Sequence, residues 1–382
     1  MSSSHLSRLL FLPSALRTFG RSSAVTAWSI VAAGVLFASA CSEDSTAPVA
    51  PGFLGGTTAN HEIGVVIGGK TLTLFQVGSP TTQATIPLGT SSTVTPTGFS
   101  LGGRRAAVPL GNAASLALID LETQTISRFY QFPSGNATGS AFVDDTTIVV
   151  ANTATNVVGR VTVGQASSTI TTTLPVGDSP TSITVANGRI FVVCGNLQGA
   201  FPPVNNGIVT IIDAKTFTVL GSVTVGGTNS SEGAVGPDGL LYVVNATDFS
   251  SQGSLTIIDP ATRQVVTTIP NMGVGPGAIS IDKNGLAYIS SFSGATTVWN
   301  TKTRAFVRGT DNPVCAKVAA TGKCRGAFAA STSTDGSVYQ AFFGSASQGL
   351  APFVFVYAPS TFALRDSIAV GAGPAAIQIR TF

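Results

Sequence analysis

Histidine is almost missing from this chain: there are two, His5 near the N-terminus and His61 where the repetitive sequence begins. One peripheral His cannot build a catalytic pair, so His-dependent acid–base chemistry and His-rich metal centres are excluded at the outset. Charge is scarce as well, at 10% of residues, and helical periodicity is nearly absent. The longest apolar run, from about Ala24 to Ala38, is too short and too rich in small residues for a secure membrane span. What the chain has instead is Gly, at 43 of 382 residues, together with abundant Val, Thr and Ile. That composition describes short strands joined by tight turns.

Arg8, Arg17 and Arg21 precede the apolar run, which reads as an export signal over residues 1–40. It ends in Ala38-Ser39-Ala40-Cys41, which resembles a bacterial lipobox, with Cys41 as the lipid-attachment residue. Ala38-x-Ala40 also satisfies ordinary signal-peptidase cleavage, so plain secretion stays open, with an uncleaved anchor as the third alternative. The resemblance implies an exported lipoprotein of the periplasm or cell surface. Ser42, where an inner-membrane retention signal would place Asp, points to the outer membrane. Residues 41–60 are Ser-, Thr-, Pro- and Gly-rich and read as a flexible tether. Removing residues 1–40 takes three of the 20 Lys and Arg and none of the 17 acids, so the remaining chain is neutral. A neutral domain has no field to gather polyanions, which argues against nucleic acid.

Residues 61–382 repeat. Five times an apolar strand runs into a similar polar turn, as in Leu118-Ile119-Asp120-Leu121-Glu122-Thr123, Ile211-Ile212-Asp213-Ala214-Lys215-Thr216 and Ile257-Ile258-Asp259-Pro260-Ala261-Thr262, and again at Asn300 and Ala358. Asp213 to Asp259 is 46 residues, Asp259 to Asn300 is 41, and Asp120 to Asp213 is 93, or two units. A four-stranded unit of this period is a propeller blade. Within each blade the second and third strands (B and C) are apolar nearly throughout, as expected of sheets sandwiched between neighbours. First strands (A) start near Phe99, Ala141, Ile183, Ala234, Ala278 and Phe328, giving six blades. The C-terminal Ala375–Arg380 supplies strand A of a seventh, whose strands B, C and D come from Ile63–Ile67, Leu72–Val77 and Ala84–Leu88. The expectation is therefore an all-β, seven-bladed β-propeller closed by pairing the chain's two ends, with six or eight blades as alternatives.

Pro-x-x-Ile near strand A, Asp-Gly or Asn-Gly in the A–B turn, Tyr242-Val243-Val244-Asn245 in strand B and Ile-Ile-Asp-x-x-Thr at the C–D turn together resemble the bacterial YVTN-repeat, or YncE-like, seven-bladed propellers. The resemblance covers residues 60–382 and departs in the second blade, where Gly159-Arg160-Val161-Thr162-Val163 lacks the terminal Asp. It implies fold rather than activity, since such propellers include surface-layer and binding proteins as well as a few enzymes.

The repeated Asp residues read as turn formers, each bonding its own backbone two residues on. No catalytic residues, metal ligands or cofactor are assigned. Trp299 is the only Trp past the signal, which excludes Trp-docking repeats of the quinoprotein type. Cys315 and Cys324 enclose eight residues and are expected to form a disulfide; Cys194 reads as a buried free thiol. The long insertions, Gly195–Asn206, Ala246–Gly253, Gly309–Gly326 and Gly344–Pro352, all belong to B–C or D–A connections of the third to sixth blades, so one face should carry a contiguous wall. Candidate binding residues on it are Phe201, Phe249, Phe292 and Phe343, with the basic Arg308, Lys317, Lys323 and Arg325. The expected function is non-catalytic binding of a protein, glycan or acidic polymer at the cell envelope by a monomer that touches membrane only through its lipid. Alternatives are a channel enzyme of lyase or lactonase type and a purely structural surface protein. For any single Phe, the competing reading is that it packs its loop onto the blade.

Overall fold

The computed structural model describes residues 52–54, 61–345, 349–371 and 373–382. The export signal, Cys41 and most of the segment read as a tether lie outside the described residues. Within that segment Leu54 is fully buried against the sheet formed by the two chain ends and its neighbour. Arg104, which pairs with Glu122 at 2.6 Å, also donates to the Leu54 carbonyl at 3.5 Å.

Seven four-stranded antiparallel sheets follow one another around a ring. Blade 1 holds β4 (Ser100–Gly102), β5 (Arg105–Pro109), β6 (Ser115–Asp120) and β7 (Thr125–Gln131); blade 2 holds β8 (Ala137–Asp144), β9 (Thr147–Asn152), β10 (Val157–Thr162) and β11 (Thr173–Pro175). Blade 3 holds β12 (Pro180–Ala186), β13 (Arg189–Cys194), β14 (Asn206–Asp213) and β15 (Thr218–Thr228); blade 4 holds β16 (Ser230–Val235), β17 (Leu241–Asn245), β18 (Gln252–Asp259) and β19 (Gln264–Val274). Blade 5 holds β20 (Pro276–Ile281), β21 (Leu286–Ser291), β22 (Ala295–Asn300) and β23 (Ala305–Arg308); blade 6 holds β24 (Ala329–Thr332), β25 (Val338–Phe342), β26 (Phe353–Tyr357) and β27 (Leu364–Ala369). Blade 7 combines β28 (Pro374–Thr381) with β1 (Glu62–Gly68), β2 (Thr71–Gln76) and β3 (Ser79–Pro87). The ring closes as the sequence implies: β28 pairs antiparallel with β1, from Glu62 opposite Thr381 to Gly68 opposite Pro374.

The second and third strands of each blade are dry on both faces, as in β9 and β17, where every residue is buried. Their side chains meet those of adjacent blades in seven apolar layers. Ile211, Val193, Leu241 and Val243, for example, fill the layer between blades 3 and 4. Each fully buried Val, Leu or Ile contributes roughly 1.5–3 kcal/mol.

The turn residues behave as their chemistry dictates. Asp120 Oδ1 accepts the backbone N–H of Glu122 and Thr123, both at 2.9 Å, and Asn300 Oδ1 does the same for Lys302 and Thr303. Directly after each Thr the chain takes one left-handed residue, at Gln124, Phe217, Arg263, Arg304 and Phe362, and strand D then bulges by one residue against strand C, at Ser127, Leu220, Val266, Val307 and Arg365.

Two long connections depart from the expected pattern. Blade 2 has a ten-residue C–D excursion between β10 and β11, where every C–D turn was expected to be short. Lacking the Asp turn, this segment instead crosses to β7, where Ile170 N–H bonds Gln131 O at 2.8 Å, and buries Ile170 between blades 1 and 2. A twelve-residue D–A connection also links β3 to β4, so long loops on that face are not confined to blades 3 to 6.

Candidate functional site

The B–C and D–A connections open on one face, and there the sequence places one half-exposed Phe on each of four adjacent blades. Phe201, Phe249, Phe292 and Phe343 are 54%, 49%, 56% and 46% exposed, so none is consumed in packing its own loop. They form one arc. Phe201 stacks on Phe249 with ring centroids 5.9 Å apart and planes at 21°. The Phe249 backbone lies against Gly275, whose carbonyl accepts the Phe292 N–H at 3.3 Å; a Cβ at Gly275 would come within 2.8 Å of Phe249 O. Phe292 meets Phe328 edge-on at 4.9 Å, and Phe328 meets Phe343 at 5.0 Å.

Local structure holds these rings out. Phe249 sits at φ +61°, a strained value for a bulky residue, in a turn where Asp248 Oδ1 accepts the N–H of Ser250 (3.0 Å) and Ser251 (2.7 Å). The loop bearing Phe201 is tied by Asp178, which accepts from Gln198 N at 2.7 Å, Asn156 Nδ2 at 3.0 Å and Ser179 Oγ at 2.7 Å. Burial alone would raise that carboxyl; these bonds outweigh it and hold it below its ordinary value.

The basic residues do not join the arc as a group. Lys317 and Lys323 are exposed on the hairpin closed by the Cys315–Cys324 disulfide, whose Cα atoms are 5.5 Å apart. Arg325 is half-buried, its guanidinium over Phe342 at 5.3 Å and Phe355 at 5.6 Å. Arg308 turns toward the short-turn side, donating to Thr361 O at 2.9 Å and covering Phe362. A buried network seats the disulfide segment: Gln340 Nε2 donates to Val314 O and Thr296 Oγ1, both at 2.9 Å, while Tyr357 Oη donates to Gln340 Oε1 at 2.9 Å. Cys194 is a buried free thiol, as the sequence indicates, and burial pushes its pKa up to about 12, so it stays protonated and inert.

Beneath the arc lies the central channel, a cavity of about 590 Å³ lined by the innermost strand of every blade. Phe328 belongs to both, lining the cavity and completing the arc. The lining is mostly Gly, Ala, Ser and Thr, with one charged side chain, Glu232. Innermost strands leave edge groups unpaired, and side chains latch one blade to the next across them. Ser140 Oγ pairs with Ser100 Oγ (3.0 Å), Thr138 donates to Pro180 O (2.9 Å), Thr181 to Ser231 O (2.8 Å) and Gln378 to Phe99 O (3.1 Å). Ser331 Oγ accepts Ile379 N–H at 2.9 Å, and Glu232 Oε2 accepts Ile279 N–H at 3.0 Å. Among the described residues no group of three or more His, Cys, Asp or Glu is placed to hold a metal.

Sequence reasoning missed Phe328, Asp178 and Glu232. For Glu232 a signal existed. Once the strands are aligned by their shared bulge, Ser182, Ala278 and Ala376 occupy the same register position, and Glu232 is the one acid there.

No protein-family model matches the sequence, and no curated protein matches it. Among solved structures, hydrazine synthase of Kuenenia stuttgartiensis is similar, with a TM-score of 0.59 and 14% identity, over 76% of this chain and 91% of that one. At that identity the likeness is one of fold, and the chain is an all-β seven-bladed propeller of four-stranded blades.

Proposed function

We propose that this protein is a non-catalytic binding propeller that docks a protein or polymer on the loop-rich face of blades 3 to 6. The observation that carries the reading is the run of two aromatic groups, Phe201 with Phe249 and Phe292 with Phe328 and Phe343, joined through the backbone at Gly275, four of the rings about half exposed on a rigid scaffold. Exposed aromatic rings clustered this way supply large contact area at low entropic cost. Lys317 and Lys323 on the adjoining hairpin add positive charge beside the rings, which suits an acidic or glycan-bearing partner.

The YVTN-like motifs, including Tyr242-Val243-Val244-Asn245 and the Ile-Ile-Asp-x-x-Thr turns, support grouping the chain with YVTN-repeat propellers. Export to the cell envelope, by lipidation at Cys41 or by plain secretion, is part of the same proposal. The Cys315–Cys324 disulfide supports it, because such bonds persist in oxidising compartments. A lyase or lactonase site in the channel is the weaker reading. The lining offers one carboxylate and neither His nor Cys, so a second acid–base group is wanting.

The test is affinity capture from envelope extract with the wild type and two double variants, Phe201→Ala/Phe249→Ala and Phe292→Ala/Phe343→Ala. These rings are exposed enough for folding to survive their removal. Capture that falls at least tenfold with either double variant supports the proposal; capture unchanged in both overturns it.

A further inference from the structure

The channel carries a feature that the docking face does not explain. Six of the seven junctions between innermost strands have a side-chain latch, and five of these use neutral Ser, Thr or Gln. At the junction of blades 4 and 5 the latch is Glu232, where Ser182, Ala278 and Ala376 stand on other blades. Accepting the Ile279 N–H needs one oxygen, and Oε2 supplies it. Oε1 has no hydrogen-bond partner among the described residues, and no Lys, Arg or His lines the cavity to balance the charge. A hydroxyl would latch these blades without placing an uncompensated carboxylate in a shielded channel, which is unfavourable. On the blades to either side, Ser182 Oγ and Ser280 Oγ are buried without partners. The rest of the lining is hydroxyl and methyl groups, among them Thr184, Ser231 and Ala234.

We infer that the channel binds a small polyhydroxylated ligand carrying one protonated amine, with the ammonium paired to Glu232 and the ligand's hydroxyls facing the Ser and Thr of neighbouring blades. A cavity of about 590 Å³ has the size of a small-molecule site. The ammonium supplies the countercharge that the protein omits, and a charge-assisted bond in such a site is stronger than a neutral one. Burial pushes the Glu232 carboxyl up to about 7 while that charge is unbalanced. Pairing with a cation lowers it again, so binding near pH 7 releases protons. No other titratable side chain lines the cavity. The cavity shares Phe328 with the aromatic arc but is not lined by Phe201, Phe249, Phe292 or Phe343, and the inference stands whether or not the docking proposal does.

The experiment is isothermal titration calorimetry at pH 7 with glucosamine as probe and glucose and N-acetylglucosamine as controls. These three share one skeleton and differ in whether it carries a positive charge. Glucosamine is expected to bind at least tenfold more tightly than either control, with a heat that varies with buffer ionisation enthalpy because protons are released. Glu232→Gln keeps an acceptor for Ile279 N–H and removes only the charge; it should weaken glucosamine at least tenfold and abolish the buffer dependence. Phe201→Ala/Phe249→Ala should bind glucosamine as the wild type does. Glucosamine that does not bind, binds no better than glucose, or is held equally by Glu232→Gln overturns the inference. So does loss of binding in the Phe double variant with Glu232→Gln unaffected, which would move the ligand to the arc.

Discussion

Glu232 has a measurable consequence apart from any ligand. Burial raises its carboxyl from an ordinary 4.5 to about 7, against the Ile279 N–H, which favours the charged form. An acid whose pKa is raised on folding contributes its stability in full below the unfolded value; that contribution is lost as pH rises through the folded value. Stability should therefore fall between about pH 4.5 and 7, by at most about 3 kcal/mol for a shift of this size. Asp213 and Asp259, held low by backbone hydrogen bonds from Thr216 and Ala261, act in the opposite sense only below their ordinary 3.8, outside this window. Urea unfolding at pH 5 and pH 8 checks it: the wild type should lose more stability than Glu232→Gln across that interval, and equal losses would refute the account. Gly326 makes a second residue-scale case, since an added Cβ would lie 1.8 Å from Phe292 O. Gly326→Ala must displace Phe292 from the arc, and overpacking of this kind costs about 1–3 kcal/mol, readable as a lower unfolding midpoint. Neither residue stands out by type in the sequence. The importance of Glu232 depends on the register of β16 against β17, and that of Gly326 on its close approach to Phe292, which lies 34 positions earlier in the sequence but against it in space.

At the scale of the element, the C–D turn is the repeated unit, and the chain contains its own control. Asp120 and Asn300 receive equivalent pairs of backbone hydrogen bonds in equivalent turns. Asp120→Asn should then be nearly neutral while Asp120→Ala loses about 1 kcal/mol, the net worth of a typical hydrogen bond, as thermal unfolding of both would show. The Asp-x-x-Thr spacing made these turns legible in sequence because side-chain chemistry sets them locally. The left-handed residue that follows was not legible, since Gln124, Phe217, Arg263, Arg304 and Phe362 share no side-chain chemistry and the backbone imposes the conformation. The blade 2 excursion was illegible for a related reason: Ile170 is placed by a layer shared with blade 1, a non-local contact. The disulfide hairpin is seated twice over, by its covalent link and by the Gln340 network. Cys315→Ser/Cys324→Ser should lose about 2–3 kcal/mol from the closed loop, yet retain the buried seat of Val314. Amide exchange at Thr296, whose N–H bonds Val314 O at 3.2 Å, would show whether that seat persists.

For the whole molecule, closure was the most legible property of all, because incomplete blades at the two ends of the sequence sum to one complete blade. An open repeat array gains stability from nearest-neighbour layers and frays from its ends. A closed ring has no ends, so each of its seven layers supports two others. The seal is β28: it pairs with β1 along its length, places Ile377 in the layer between blades 6 and 7, and its terminal Phe382 exchanges backbone hydrogen bonds with His61. Ending the chain before Pro374 removes that strand, leaves β1 as an unpaired edge carrying Ile63, Val65 and Ile67, and uncovers two apolar layers at once. The wild type should unfold in one cooperative step; the truncated chain should melt at lower temperature over a broader range and self-associate through the bare edge. Supplying the peptide of residues 374–382 in trans should restore part of the melting temperature, since a free strand can add to an open sheet edge. Calorimetry with size-exclusion chromatography reads both effects, and a truncated chain that stays monomeric with an unchanged transition would mean that the layers, rather than the seal, hold the ring together.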